Sequence, residues 1–359
     1  MQASLNLKWM LTLTKHLPKR RIPGLSPTQM QNYGRHKQLH TMGEGRQLSS
    51  CAAETLSNNV YTPRRAVLYV PGSDERKLQK ITGLDVDCAV MDCEDGVAAN
   101  RKEEARNTIK KALDELDFGR TECVVRVNSV DSGLMEEDLK VIFRAESMPQ
   151  TIMLPKVNRP QEIHQFIETL RESLKGRKLN NKIQLITFVE SAIGLINLTE
   201  IFRTTTELSS SEGFFDLAGV VFGSDDFCAD IGATRTADAS ELTYARQKIV
   251  TCAKAFRLQA IDLVYINYKD LEGLEKQSID GANMGFTGKQ VIHPGQIPVV
   301  QKAFSPSPDR VEWATELIQA FSQHTHSGKG AFTFRGAMID MPLVLQARNI
   351  VQLAEAVKS

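Results

Sequence analysis

The sequence predicts an α/β protein, a closed (β/α)8 TIM barrel with a C-terminal helical extension. Two observations carry this. From Arg64 onward, eight short runs rich in Val, Ile and Leu alternate with longer segments whose apolar residues recur at helical spacing, the pattern of parallel strands joined by crossover helices. Most runs also end in a charged residue, as the C-terminal mouth of a barrel requires. With 359 residues and 42% hydrophobic content, the chain can bury so large a core.

In order, the runs are 66–70 (AVLYV), 88–92 (CAVMD), 123–127 (CVVRV), 151–154 (TIML), 183–189 (IQLITFV), 217–222 (LAGVVF), 260–266 (AIDLVYI) and 289–292 (KQVI). Helices are expected over 101–116, 159–175, 239–256 and 270–280, each with an apolar stripe. Beyond the eighth run, helices over 308–324 and 342–357 flank the Gly-rich SGKGAFTFRGAMIDMP. A doubly wound open sheet is the alternative, weakened as a dinucleotide binder because no G-x-G-x-x-G follows the first run. GFTGKQ at 285–290 is no P-loop, since its glycines are too close and Gln290 replaces Ser or Thr. The chain thus divides into a leader over 1–62, the barrel over 63–305 and a helical arm over 306–359.

The formal net charge is +1, so no whole-chain field attracts nucleic acid or an anionic membrane surface, and neither is an expected partner. Any anion site must be local. The charge is uneven: residues 1–62 hold Lys8, Lys15, Lys19, Arg20, Arg21, Arg35, Lys37 and Arg46 against Glu44 and Glu54, leaving the remainder at −5. A basic, acid-poor leader with Ser and Thr, whose apolar runs are too short for secretion or spanning, reads as a mitochondrial transit peptide and predicts a matrix location. An ordinary disordered basic tail is the alternative. Cys51, Cys88, Cys93, Cys123, Cys228 and Cys252 form no Cys-x-x-Cys pair and mostly sit inside apolar runs, as buried thiols of a reducing compartment do.

The chemistry is expected where the runs end. Run one ends in Pro71-Gly72-Ser73-Asp74, run two in Glu94-Asp95, run four in Pro155-Lys156, run five in Glu190, run six in Asp225-Asp226 and run eight in His293, while run three carries Arg126. A carboxylate directly after a long apolar run sits at a desolvated rim, where an unpaired charge is costly. A cation would offset that cost at Glu190 and the Asp pair. Mg2+ suits two protein carboxylates because its other octahedral positions go to water and substrate oxygens, whereas Zn2+ prefers His or Cys, and none cluster here. A salt bridge with Arg126 or Lys156 is the competing account. Arg126, inside a strand, is either a cation aimed at an enolate or carboxylate oxygen or half of a lumen ion pair. PGSDERKLQK opens a helix with Ser73 or Asp74 as N-cap, placing Arg76 and Lys80 four apart as a phosphate site or a solvated face. His293 reads as a ligand, a base or a backbone-bonded positioner; His324 and His326 receive no role.

RRAVLYVPGSDERKLQK, VMDCEDGV, VVRVNS, LPKV, TFVESAIGL, VVFGSDDFCADIGATR and KQVIHPGQI follow one another from Arg64 to Gln296, and this series resembles the motifs of the citrate lyase beta-chain family. The resemblance implies a carbon–carbon lyase whose cofactor is Mg2+, held by Glu190 and Asp226 with Asp225 behind. It puts Tyr69, Arg76 and Lys80 at the CoA ester, Arg126 against the substrate, and Ile292 and His293 near the CoA moiety. The implied reaction is cleavage of an acyl-CoA, (3S)-citramalyl-CoA, to acetyl-CoA and pyruvate, with malate synthase-like condensation in reverse. It further implies a homotrimer in which the arm over 306–359 crosses to a neighbouring subunit and brings Asp340 as the proton shuttle. On the residues alone, Asp340 reads as the cap of the helix that follows. Three alternatives stay open: malyl-CoA as substrate, since one methyl-sized change discriminates by only about 1–3 kcal/mol; a metal-dependent pyruvate aldolase; and a citrate lyase beta-type subunit serving an acyl-carrier partner.

Overall fold

The computed structural model describes residues 61–325 and 332–358, so the leader expected over 1–62, apart from its last two residues, lies outside them. Eight parallel strands close in chain order: β1 (Ala66–Pro71), β2 (Cys88–Asp92), β3 (Glu122–Arg126), β4 (Thr151–Leu154), β5 (Ile183–Val189), β6 (Phe215–Phe222), β7 (Gln259–Asp262) and β8 (Gly288–Val291). Val67 of β1 stands opposite Cys88 on one side and Gln290 on the other, which shuts the ring. The helices α1 (Glu75–Lys80), α2 (Lys102–Glu115), α3 (Met135–Ile142), α4 (Pro160–Ser173) and α5 (Ala192–Glu212) follow the first five strands in turn. Two helices, α6 (Ser224–Ile231) and α7 (Thr243–Ala255), follow β6; α8 (Leu271–Met284) follows β7 and α9 (Ile297–Ala303) follows β8. The arm is α10 (Pro308–Thr325), a hairpin of β9 (Phe332–Phe334) and β10 (Ala337–Ile339), and α11 (Met341–Lys358), packed around Ala314, Leu317, Ile339, Val344 and Ala347. Among the described residues no helix is long and apolar enough to cross a membrane.

Strands paired on both edges send alternate side chains to opposite faces. Cys88, Val90, Val124, Met153, Ile186 and Phe188 fill the lumen, while Ala89, Met91, Val125, Ile152 and Leu185 pack outward under the helices. Both faces are buried, hence the near-continuous apolar runs. Glu122 and Arg126 occupy the lumen-facing positions of β3 on either side of Val124. The lower lumen is closed by a fork from Arg64 to Glu122, 2.6 Å on each arm, with the Thr151 hydroxyl donating to the same carboxylate. Beside it, Arg65 forks Asp87 at 2.9 and 2.7 Å.

The expected run 260–266 stops as a strand at Asp262. Beyond it the carbonyls are taken by side chains instead of a neighbouring strand: Val264 O accepts from Arg235 Nη2 and Tyr265 O from Gln296 Nε2. The Asp225-Asp226 pair opens α6 and does not end β6.

Behind the barrel wall, Lys289 is fully buried, its ammonium 2.8 Å from Gln277 Oε1 and 3.7 Å from Asp262 Oδ2, a carboxylate already forked by Arg246. Burial outweighs the pull of Asp262 and lowers the Lys289 pKa from 10.5 to about 8. Between those values the unfolded chain holds a proton that the folded chain has released, so stability rises with pH across that window. Relative to Lys289→Met, the native protein is expected to gain roughly 3 kcal/mol between pH 7.5 and 10.5 in urea denaturation. Parallel profiles for the two proteins would contradict this.

Candidate active site

The upper lumen ends in a charged network. Asp92, the last residue of β2, lies in register with Arg126 of β3, and the guanidinium forks it at 2.7 Å on both arms. The same carboxylate accepts from the backbone N–H groups of Glu94 and Gly96, so its oxygens are fully used. Arg126 lies over the Tyr69 ring, 5.0 Å from its centroid, and Nη1 comes to 2.9 Å from Glu94 Oε2 off the hydrogen-bonding direction. Burial disfavours the guanidinium, but Asp92 outweighs it and the Arg126 pKa is raised. Arg126 is thus a lumen ion pair, yet one whose charge stands directly below the mouth. Burial raises the pKa of Tyr69, whose hydroxyl reaches Met153 Sδ at 3.8 Å.

Lys156 organises the next layer. It follows Pro155 with φ of 55°, a left-handed conformation that costs a non-glycine residue about 1–3 kcal/mol and recurs at functional sites. The turn points its N–H at Glu190 Oε2, 2.5 Å away, and its ammonium at Glu94 (2.7 Å), Asp95 (3.3 Å) and Asp226 (3.9 Å). Burial opposes the Lys156 ammonium, but Glu94 outweighs it and raises the pKa. Asp95 is lowered because Lys156 and Arg126 overcome its burial.

Glu190 follows β5 at once and is 7% exposed. Burial, then the charge of Glu94, pushes its pKa up to about 8 against the weaker pull of the Lys156 N–H. No cationic side chain pairs with it among the described residues, and Glu94 Oε2 likewise lacks a hydrogen-bond donor. Asp226 stands close enough to add to the shift, whereas Asp225 is turned to Arg235 Nε at 3.4 Å. A buried carboxylate without a counter-cation, beside a half-exposed one, fits a divalent ion. No group of three His, Cys, Asp or Glu side chains converges among the described residues, so an ion here takes its other positions from water and substrate, as Mg2+ does. Gly223 backs the site: a Cβ there would lie 2.3 Å from Glu190 Cγ. Gly223→Ala is therefore expected to weaken Mg2+ binding by roughly 10- to 100-fold in calorimetric titration, and unchanged affinity would contradict that role.

The remaining expected residues lie on the rim or away from it. Asp74 caps α1, as the sequence suggested, and pairs with Lys77, while Arg76 and Lys80 stay exposed without an ion pair among the described residues. Ile292 is 44% exposed. His293 Nδ1 accepts from the Gly295 N–H at 3.0 Å, and its ring stacks on Tyr268, the backbone-bonded option. Strands β1 and β8 are neighbours, so these two rim segments share one side of the mouth. Asp340 is not brought to the network: it accepts from Leu343 N and Val344 N, capping α11. Sequence reasoning placed Glu94 at the end of run two without giving it a role, and missed Asp92. Counting by twos from Val90 would have found Asp92 on the Arg126 face; nothing local pairs Glu94 with Lys156.

The pattern of the HpcH/HpaI aldolase/citrate lyase family matches residues 65–294. Mitochondrial citramalyl-CoA lyase of Homo sapiens is 57% identical over 302 residues, 84% of this chain and 88% of that protein. Citrate lyase subunit beta of Leuconostoc mesenteroides subsp. cremoris is 30% identical over 82% of this chain and 94% of its own. Among solved structures, protein CitE from Mycobacterium tuberculosis in complex with magnesium, acetoacetate and coenzyme A is 30% identical, with a TM-score of 0.64 over 82% of this chain and 98% of that one. The chain belongs to the HpcH/HpaI aldolase/citrate lyase family.

Proposed function

We propose that this chain is a mitochondrial, Mg2+-dependent lyase that cleaves (3S)-citramalyl-CoA to acetyl-CoA and pyruvate, and runs a malate synthase-like condensation in reverse. The observation that carries it is Glu190, a buried carboxylate with no side-chain cation, set beside the fixed charge of Arg126. The 57% identity to a mitochondrial citramalyl-CoA lyase supports the substrate and the compartment. The basic leader over 1–62 acts as the transit peptide and directs the chain to the matrix.

Glu190 and Asp226 hold the Mg2+, which supplies Lewis acidity to the oxygens of the 2-oxo acid half. Arg76 and Lys80 meet CoA phosphates, and Tyr69, Ile292 and His293 line the ester's path. The substrate's hydroxyl proton leaves to solvent through the mouth as its oxygen becomes the keto oxygen of pyruvate, and the electron pair of the breaking bond to the acyl α-carbon becomes the enolate of acetyl-CoA. Arg126, locked by Asp92, holds its charge where the enolate oxygen develops, at no cost in reorganisation. Asp340 of a neighbouring copy protonates the enolate carbon. This requires the arm over 306–359 to cross between subunits of a homotrimer. Met338, Met341 and Leu345, exposed by 77, 45 and 50% around Asp340, support such docking, since apolar clusters of this kind mark protein contacts.

The test is release of acetyl-CoA and pyruvate from racemic citramalyl-CoA, with Mg2+ or EDTA, alongside sedimentation. Turnover is expected to vanish in EDTA and to fall about 10^2- to 10^4-fold in Asp340→Asn, with the mass of three chains unchanged. Inertness toward citramalyl-CoA beside cleavage of malyl-CoA or a free 4-hydroxy-2-oxo acid would overturn the substrate. Stable co-purification with an acyl-carrier protein would favour the complex-forming subunit.

A further inference from the structure

A cavity of about 430 Å3 lies where the ends of α7 and α8, the turn after α9 and one face of α11 meet. Thr287, directly before β8, and Tyr61, ahead of β1, line it. It therefore opens at the N-terminal ends of the strands, whereas Glu190 stands at their C-terminal ends. Its volume falls in the range of small-molecule sites.

The walls divide by chemistry. Phe286 and Ile350 belong to an apolar side, Lys254 and Arg310 supply two cations, and no Asp or Glu is among the lining residues. Neither cation has an ion-pair partner among the described residues. Lys254 is exposed on the wall, and the protein beside it lowers its pKa with no acid to offset the effect. Arg310 stands in the first turn of α10, where its N–H is held by Ser307 Oγ, so the positive end of an 18-residue helix adds to the field. Two unpaired, solvent-reachable cations facing an apolar wall with no acid between them suit an anion with a hydrocarbon body.

We propose that this cavity binds a small amphipathic anion, a carboxylate or phosphate monoester, with its head between Lys254 and Arg310 and its body against Phe286 and Ile350. The test is calorimetric titration of the full protein, its mouth saturated with CoA, with octanoate, octyl phosphate and the neutral octanol. Saturable binding of one anion per chain is expected, and which of the two anions binds tells the carboxylate source from the phosphate. Lys254→Gln with Arg310→Gln should weaken it by roughly tenfold or more. Asn283→Trp, at an exposed position on the wall, should block it while keeping both charges. Thermal unfolding as in the native protein establishes that each variant is folded. Octanol binding as tightly as the anions, undiminished binding in the variants, or no saturable heat would each overturn the proposal.

Discussion

Glu190→Gln is expected to abolish Mg2+ binding in calorimetric titration and to lower citramalyl-CoA turnover by about 10^3-fold or more, because the Lewis acid goes with the ligand. The variant should nevertheless fold, since the amide keeps an oxygen for the Lys156 N–H and removes a charge that nothing else neutralises. Stability separates this from simple damage. With metal chelated, the folded native protein holds a proton on Glu190 up to about pH 8, against an ordinary value of 4.5. The unfolded chain releases that proton at the lower value, so native stability falls as pH rises from 4.5 to 8. At pH 8.5 in EDTA the Gln variant should be the more stable by up to roughly 4–5 kcal/mol. A native protein at least as stable as Glu190→Gln under those conditions, or equal Mg2+ affinity in the two, would sink the assignment.

Arg126 should split into two phenotypes according to what replaces it. Arg126→Met strands Asp92, which is nearly inaccessible and has no other cation beside it among the described residues, while Glu94 keeps Lys156, and breaking a buried pair in this way costs about 3–5 kcal/mol. Arg126→Lys restores a charge but cannot fork Asp92, so the cation loses its fixed direction. For that variant kcat should fall by about 10^2-fold or more with KM little changed, while its urea midpoint stays nearer the native one than that of Arg126→Met. If Lys restored kcat fully, the charge alone would matter and the geometry would not.

The barrel was legible because parallel strands buried on both faces leave near-unbroken apolar runs, and all eight stand within two residues of where they were expected at their starts. Helix α5, expected only as the crossover after run five, was given no range. Its second half, TTTELSSSE, dilutes the apolar stripe, and Thr205, Thr206 and Ser210 bond back to carbonyls of their own helix, a use of hydroxyls that local propensity does not foresee. Glu190, Asp226 and Arg126 were visible as polar punctuation of strands. What pairs with what was not, because Asp92, Glu94 and Lys156 meet Arg126 and Glu190 only through the register of neighbouring strands and one left-handed turn. Asp340 divides the two levels: its cap on α11 follows from Asp before Met341-Pro342, whereas the role proposed for it in another subunit's site rests on the family resemblance alone.

Closure of the ring has a consequence for how the protein is made. Its first strand, Ala66–Pro71, pairs with its last, Gly288–Val291, so the sheet has two open edges until the chain through Val291 is available. Such edges are templates for pairing with other chains, and contacts so distant in sequence are slow to form. A fragment lacking β8 is accordingly an open sheet that invites aggregation, and the enzyme has no smaller folded version of its barrel to fall back on during synthesis.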